Sequence, residues 1–231
     1  MNSQFQWLIF DADDTLFDYA YGERNALETT FREFGLPFDA RALELYRDIN
    51  HQLWLRFEKR EITGAQIRAE RFTKLFAALA QREPPGLAER FIDHLAEQTT
   101  LIQDACELVR TLQRTYRLAV ITNGMARVQQ PRMAQSLLAP YISELIISDQ
   151  VGAAKPAPEI FDYAFARMGN PPRERVIIIG DSLTSDMQGG VNYGIATCWY
   201  NPAHQPRPPQ LPLTYEIHAL RELIPLLTTE N

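Results

Sequence analysis

The sequence predicts an α/β fold in which a doubly wound parallel sheet carries an inserted bundle of helices. Short β-branched runs without polar alternation recur along the chain, and such runs are typical of strands buried on both faces of a parallel sheet. Segments with helical spacing of apolar residues separate most of these runs. The predicted strands are residues 6–10, 117–122, 144–148, 175–180 and 195–199, and the predicted helices are residues 104–114, 125–138, 159–168 and 186–193.

The stretch of residues 18–99 interrupts this alternation, because it shows helical spacing and contains no strand-like run. Its apolar residues recur every three or four positions, as in Leu43, Tyr46 and Leu53. Breaks rich in glycine and proline divide it into four predicted helices, a number that encloses a small core. These breaks lie at residues 35–37, 62–64 and 84–86. We therefore predict a sheet domain of residues 1–17 plus 100–231 and a helical cap of residues 18–99.

Composition excludes several classes of partner. With 231 residues, 45% of them hydrophobic, the chain is long enough for one large core and a smaller insertion. Its net charge of −6, without a basic run, argues against a nucleic-acid partner. The apolar runs are of strand length and residues 1–4 begin no leader pattern, so we expect no membrane segment. Two isolated cysteines, Cys106 and Cys198, are typical of reduced packing residues, and we expect a cytoplasmic protein.

Polar residues cluster where the predicted strands end. In open parallel sheets, ligands bind at the carboxyl ends of the strands, near the point where strand order reverses. Any one of these endings is also compatible with a turn or a helix cap, but their joint occurrence predicts a single site. The residues are Asp11 and Asp13 after the first strand, Thr122, Asn123 and Gly124 at the second, Lys155 after the third, and Asp181 and Asp186 after the fourth.

The chemistry of these side chains points to phosphoryl transfer. Asp11 is placed to attack phosphorus and form an aspartyl phosphate, and Asp13 to exchange a proton with the leaving oxygen and then with water. Mg²⁺ favours a mixture of carboxylates, carbonyls, water and phosphate oxygens, so we expect Asp11, Asp13, Asp181 and Asp186 to form its site. Asp186 acts either as a direct ligand or through a bound water. The predicted phosphate contacts are Thr122, Asn123, Gly124 and Lys155, of which Thr122 and Lys155 also stabilise the transferring group.

These four segments resemble, in order and spacing, the four motifs of the haloacid dehalogenase (HAD) superfamily. The segments are Asp11-Ala12-Asp13-Asp14-Thr15-Leu16, Ile121-Thr122-Asn123-Gly124, Lys155-Pro156 and Gly180-Asp181 with Asp186. The resemblance covers essentially the whole chain and implies a Rossmann-like catalytic core with a helical cap between the first and second motifs. Asp13 implies the phosphatase and phosphomutase branches, since the dehalogenases lack this proton donor.

Finer features resemble the pyrimidine 5′-nucleotidase group, which acts on substrates such as deoxyuridine monophosphate. They include Asp14, where most relatives carry glycine, Val151-Gly152 before Lys155, and residues 189–194 after the last motif. Gln103-Asp104 is a further departure, since many relatives carry Pro-Gly there. We expect Phe17 and Tyr19, which follow the first motif directly, to stack on the nucleobase.

The predicted function is a Mg²⁺-dependent phosphomonoesterase for pyrimidine nucleoside monophosphates. One alternative is a phosphosugar phosphatase or phosphomutase, which would use the same catalytic residues with a sugar-binding cap. A second alternative, from another class, is a non-catalytic phosphate sensor that resembles a receiver domain, which also uses Asp, Thr, Lys and Mg²⁺. That alternative explains neither Asp13 nor the cap.

Overall fold

The computed structural model describes residues 4–59 and 61–228 and contains one parallel sheet. Within these residues the sheet has six strands in the order β3-β2-β1-β4-β5-β6, with the parallel pairing of a doubly wound fold. The strands are β1 (Trp7–Phe10), β2 (Arg117–Thr122), β3 (Glu144–Ile147), β4 (Val176–Gly180), β5 (Ala196–Tyr200) and β6 (Tyr215–Ile217). The predicted fold class is therefore confirmed.

The central strand β1 shows why the sheet is buried on both faces. Leu8 and Phe10 belong to one hydrophobic cluster, whereas Trp7 and Ile9 belong to another on the opposite face. This alternation follows from the two-residue period of a strand, in which neighbouring side chains point to opposite sides. With β2 and β4 paired to its two edges, β1 lies at the point where the strand order reverses.

The five predicted strands are all present, and β6 is a sixth that the sequence pattern did not predict. β6 has only three residues and lies at the sheet edge, where two of its side chains are half-buried. Residues 201–214 form the connection to it from β5, and residues 201–212 of this connection are rich in proline. Such a short edge strand carries too few residues for a periodic signal.

Helices flank the sheet on both faces, as the prediction requires. Their bounds are α5 (Ala105–Leu112), α6 (Ala126–Gln135), α7 (Ser148–Val151), α8 (Pro158–Met168), α9 (Gln188–Tyr193) and α10 (Leu223–Thr228). The predicted helix at residues 125–138 ends three residues early, at Gln135. The predicted start at Asp186 falls inside a π-helical turn, Leu183–Met187, that precedes α9. Such turns are frequent at functional sites.

Four helices precede α5 within the described part of the insertion, and the last three begin at or within three residues after an expected break. They are α1 (Tyr19–Glu33), α2 (Ala40–Glu58), α3 (Gly64–Ala78) and α4 (Leu87–Ala96). Asp18, Asp39 and Thr63 cap the first three, each accepting a hydrogen bond from a backbone N–H in the first turn. The helices share a hydrophobic cluster that also includes Met125, the N-cap of α6, and Val128 within α6.

Parts of the sequence predictions lie outside the described residues. They are residues 1–3, on which the expected lack of a leader depends, Arg60 in the predicted cap, and residues 229–231 at the end of the predicted sheet domain. The division into a core of residues 1–17 plus 100–231 and a cap of residues 18–99 stays a prediction. No helix within the described ranges combines the length and apolar character needed to cross a bilayer.

Candidate active site

The site forms at the carboxyl end of the central strand. Asp11 follows β1 directly, and its backbone N–H donates to the carbonyl of Ile179 on β4 over 2.9 Å. The residue is 8% exposed. Because β2 and β4 pair with opposite edges of β1, the residues that follow all three strands meet around Asp11.

Lys155 lies at the centre of this arrangement and is almost fully buried. Its Nζ donates to Asp11 Oδ1 at 2.5 Å, to Asp186 Oδ1 at 2.5 Å, and to the carbonyl of Ile121 at 2.7 Å. Asn123 holds the lysine backbone from both sides: its Nδ2 donates to the Lys155 carbonyl and its Oδ1 accepts from the Lys155 N–H, each at 2.8 Å. The third predicted segment is thereby fixed against the first, second and fourth.

Three carboxylates surround a point where a cation would fit. Oxygens of Asp11, Asp181 and Asp186 lie within 4.8 Å of one another. Asp181 is oriented by the Thr15 hydroxyl, which donates to Oδ1 at 3.1 Å, and its backbone carbonyl accepts from Trp199 Nε1 at 2.9 Å. A group of carboxylate oxygens is the donor set of a hard divalent cation. The side chain of Asp13 is not part of this cluster.

The local electrostatics are those of a crowded acidic site. Burial raises the pKa of the Asp11 carboxyl well above its usual range, and the charge of Lys155 opposes this shift. Burial and the nearby charge of Asp186 raise the pKa of Asp181 from 3.8 to about 7. Burial acts to lower the pKa of Lys155, but Asp11 and Asp186 outweigh it and raise the value. A bound dication would relieve the repulsion among the carboxylates.

The π-helical turn explains how Asp186 reaches the cluster. Its carboxylate accepts from the Ser182 N–H at 3.0 Å and lies directly against Gly180, the last residue of β4. A Cβ at position 180 would approach Asp186 Oδ2 to 2.3 Å, so only glycine leaves room for this carboxylate. The close approach of the Asp186 carboxylate to the backbone of β4 therefore requires glycine at position 180.

Asp13 is held by two residues of α6 that the sequence reasoning missed. Gln129 Nε2 donates to Asp13 Oδ2 at 2.8 Å, and Arg132 Nη2 forms an ion pair with Asp13 Oδ1. The Arg132 guanidinium is buried and lies 4.7 Å from the centroid of the Phe17 ring. Positions 129 and 132 share one face of α6 because residues three apart on a helix are neighbours.

The first motif also shows a backbone feature that accounts for a departure from the family pattern. Asp14 adopts a φ of 55°, in the left-handed region that favours glycine, and Asp104 adopts a φ of 67°. These are the two positions at which the family resemblance implies glycine. Aspartate tolerates this region better than most side chains, so the same turns form here.

The remaining predicted residues take different positions. Thr122 is buried at the end of β2, and Asn123 and Gly124 line a cavity of about 250 Å³ next to Asp13 and Asp181. Tyr19 also lines this cavity, so a stacking role stays open for it. Phe17 does not: it is 1% exposed within the core and lies beneath Arg132. The expectation that Phe17 stacks on a ligand is wrong because no face of its ring is free.

Helices α1 to α4 form the opposite wall of the cavity. The wall consists of Tyr19, Trp54, Glu58, Arg71 and Leu95, facing Met125, Val128 and Gln129 from the core. Two contacts join these helices to the rest of the protein: Thr184 donates to Glu58 of α2 at 3.0 Å, and Arg127 pairs with Asp93 of α4 at 2.6 Å. The cavity therefore joins Asp13 and Asp181 to a partly apolar compartment under helices α1 to α4.

Comparison with known proteins identifies the family. A family model described as haloacid dehalogenase-like hydrolase matches residues 5–194. The chain belongs to this hydrolase family. Members of the family generally use a divalent metal, and the acidic cluster is compatible with one. The resemblance inferred from the four motifs is confirmed.

Individual relatives in this family match over nearly their whole length. Pyrimidine 5′-nucleotidase YjjG of Escherichia coli is 37% identical over 224 residues, which cover 97% of this chain and 98% of the relative. Pyrimidine 5′-nucleotidase PynA of Streptococcus pneumoniae is 34% identical over 225 residues, covering 96% and 95%. The structure of the HAD-hydrolase YfnB of Bacillus subtilis, bound to magnesium, has a TM-score of 0.91 at 35% identity and covers 98% of this chain and 100% of that chain.

Proposed function

We propose that the protein is a Mg²⁺-dependent phosphomonoesterase that uses Asp11 as nucleophile and acts on pyrimidine nucleoside 5′-monophosphates. The observation that carries the proposal is the position of Lys155, whose Nζ contacts Asp11 and Asp186 at 2.5 Å each. A phosphoryl group carries negative charge on three oxygens. A buried ammonium beside the nucleophilic carboxylate can stabilise that charge during transfer. Family membership supports hydrolysis over the non-catalytic sensor function.

The chemistry divides into two displacements. In the first, an Asp11 oxygen attacks phosphorus, the bond from phosphorus to the ester oxygen breaks, and Asp13 gives its proton to that oxygen. In the second, Asp13 takes a proton from water, the water oxygen attacks phosphorus, and the bond to Asp11 breaks to release inorganic phosphate. Lys155 and the backbone around Thr122, Asn123 and Gly124 donate to the phosphoryl oxygens in both steps.

The carboxylates of Asp11, Asp181 and Asp186 would hold the magnesium ion. When bound there, Mg²⁺ neutralises charge on the phosphoryl oxygens and on the carboxylates. The Asp13 side chain is bound by Arg132 and Gln129 and is not one of the metal-binding carboxylates. Its role is therefore proton exchange, and any contact with the metal would come from its backbone. Thr15 and Ser182 orient the ligands Asp181 and Asp186 from behind.

The substrate class rests on the cavity and on the relatives. The two pyrimidine 5′-nucleotidases match nearly the whole chain, cap included. The compartment under the cap offers aromatic side chains, Tyr19 and Trp54, and apolar ones, Leu95 and Val128. A phosphomutase must hold a bisphosphate, and four carboxylates on the cavity wall oppose a second phosphate. A cytoplasmic location accords with a metabolite substrate and with the free cysteines Cys106 and Cys198.

A substrate panel tests the proposed function directly. Phosphate release is measured across about a hundred phosphorylated metabolites with Mg²⁺ present. We expect pyrimidine nucleoside monophosphates to give the highest kcat/KM values, ahead of sugar phosphates and phosphoserine. A preference for a sugar phosphate, or isomerisation of a hexose phosphate, would overturn the proposed substrate while leaving the phosphoryl chemistry intact.

Removal of the metal has a predicted effect on both activity and stability. Chelation with EDTA should abolish turnover, and added Mg²⁺ should restore it. In the metal-free protein, the pKa of Asp181 is raised from 3.8 to about 7, so folding favours the protonated carboxyl. The stability that this carboxyl contributes is fully present below about pH 4 and is lost as the pH rises through about 7. Mg²⁺ binds the ionised carboxylates, so it should raise the Tm more at pH 8 than at pH 5.

Melting curves at both pH values, each with EDTA and with Mg²⁺, check this expectation. Ca²⁺ serves as a control for binding without turnover, since it accepts the same oxygen ligands with a looser geometry. Full activity in EDTA, or a Mg²⁺-induced Tm shift that is equal at the two pH values, would contradict the metal assignment.

Arg132 is expected to act as a positioning residue for Asp13. Arg132 and Gln129 each hold one oxygen of the Asp13 carboxylate and so limit its rotation. Arg132→Met should lower kcat for a nucleoside monophosphate by about 10- to 100-fold, because a misplaced proton donor loses alignment with the leaving oxygen. The loss should be smaller for p-nitrophenyl phosphate, whose leaving group needs little protonation.

Steady-state kinetics with the two esters measures this difference. Arg167→Met is the matched control, since Arg167 is exposed and pairs with Glu144 away from the cavity. Equal losses of kcat for both esters would mean that Arg132 supports the fold rather than the orientation of Asp13.

A further inference from the structure

Arg71, on cap helix α3, is a buried cation whose hydrogen bonds are incomplete. Its side chain lines the cavity and is 1% exposed. Nη1 donates to the Tyr46 hydroxyl at 3.1 Å and to Asn50 Oδ1 at 3.4 Å, but the Nε–H has no acceptor among the residues that the structure describes. A guanidinium carries five N–H donors, and hydrogen bonds from Nη1 use only part of them, so Arg71 keeps donor capacity for a group that enters the cavity.

Aromatic rings and polar side chains hold the Arg71 guanidinium in place without a direct ion pair. Its central carbon lies 5.1 Å from the centroid of the Phe91 ring and 5.8 Å from that of Phe72. No carboxylate among the described residues lies within ion-pair distance of Arg71. The charge of Arg71 acts on the buried Glu23 carboxylate, where it opposes the rise in pKa that burial causes. Asn50 links the two residues: its Nδ2 donates to Glu23 Oε1 at 3.2 Å, and its Oδ1 accepts from Arg71. The network therefore orients the guanidinium and leaves donor capacity toward the cavity.

The charges on the cavity wall decide what kind of acceptor fits. Among the described residues that line it, Arg71 is the one cation, and the carboxylates of Asp13, Asp14, Glu58 and Asp181 share the same space. Burial raises the pKa of Glu58, which already indicates an environment unfavourable to further negative charge. A second anionic group on the ligand would meet this repulsion, so an uncharged oxygen is favoured.

We propose that Arg71 is the specificity-determining residue of the cap compartment and donates to a carbonyl oxygen of the substrate's nucleobase. The inference rests on the proposed function and names the contact by which the leaving group is recognised. A planar base with carbonyl edges matches both the guanidinium and the aromatic side chains Tyr19 and Trp54 on the same wall. A phosphate ester without a base would leave the Arg71 donor unpaired, so the enzyme should favour the nucleotide over such an ester.

Kinetics with a matched pair of substrates tests the contact. Thymidine 5′-monophosphate is compared with 2-deoxyribose 5-phosphate, which has the same phosphate and sugar but no base. Arg71→Met should lower kcat/KM for the nucleotide by about 10- to 100-fold, the usual loss for a hydrogen bond to a charged group, and change the base-free value less than about threefold. Arg56→Met is the control, since Arg56 lies on the cap but does not line this cavity.

A second variant keeps the test decisive if Arg71→Met fails to fold. Arg71→Lys retains the buried charge but lacks the planar fork of N–H donors, so it should also lose nucleotide kcat/KM selectively, by about fivefold or more. Parallel losses for the two substrates, or nucleotide kinetics of Arg71→Lys equal to wild type, would overturn the inference. If the wild-type enzyme itself shows no preference for the nucleotide, the proposed substrate fails, which is a result separate from the variants.

Discussion

Replacing Asp11 with asparagine should reduce phosphate release by at least about four orders of magnitude, the scale on which removal of a catalytic nucleophile acts. The Asp11 carboxylate is the group that Lys155 contacts at 2.5 Å, and its backbone is bound to β4 through Ile179. An amide is a poor nucleophile and a weaker metal ligand, whereas its size preserves the packing around β1. The loss should therefore appear in kcat with little change in fold.

Activity assays and melting curves on Asp11→Asn separate chemistry from folding. Asp18→Asn is the matched control, because Asp18 caps α1 and accepts from Tyr21 N–H, outside the acidic cluster. It should keep kcat within about threefold of wild type and lose at most about 1 kcal/mol of stability. An Asp11→Asn variant with more than a few per cent of wild-type turnover would remove Asp11 from the role of nucleophile.

Replacing Asp13 with asparagine should separate the two halves of the reaction. With p-nitrophenyl phosphate, whose leaving group departs without an acid, Asp11 can still be phosphorylated, but no base remains to activate water. Stopped-flow absorbance should then show a burst of p-nitrophenol equal to the enzyme concentration, followed by turnover reduced about 10²- to 10⁴-fold. With a nucleoside monophosphate, both phases should be slow.

The kinetics of Asp13→Asn need a stability control and a matched variant. Asparagine keeps the contact with Gln129 possible but removes the ion pair with Arg132, so a melting curve must accompany the kinetics. Gln129→Leu, which leaves the Asp13 carboxylate in place, should show no burst, because phosphorylation and dephosphorylation of Asp11 both continue at reduced rates. A wild-type steady-state rate in Asp13→Asn would exclude Asp13 as the acid and base.

The sheet and its site were predictable because their signals are local. Strands β1, β2 and β4 are buried on both faces, so each appears in the sequence as a short run of consecutive apolar residues. Parallel strands end at one edge, so the placement of Asp11, Asn123 and Asp181 near one another follows from topology alone. The edge strand β6 and the π-helical turn that contains Asp186 depend instead on packing against neighbours.

The contacts that complete the site could not be predicted in the same way. Arg132 meets Asp13 across 119 positions of sequence, and Arg71 meets Tyr46 across 25, with no periodic pattern that links either pair. The signal available was weak: a polar pair at positions 129 and 132 on the face of α6 that packs on the core. Phe17 was misjudged because its place in the sequence, directly after the catalytic loop, says nothing about the direction of its ring.

The central claim is that an oxygen of Asp11 becomes bonded to phosphorus during turnover. The most direct measurement is acid quenching of the Asp13→Asn variant in the presence of p-nitrophenyl phosphate, followed by digestion and tandem mass spectrometry. The account predicts one phosphoryl group per chain, located on Asp11 and absent from Asp11→Asn treated in the same way. A phosphoryl group on any other residue, or none while p-nitrophenol is released, would contradict it.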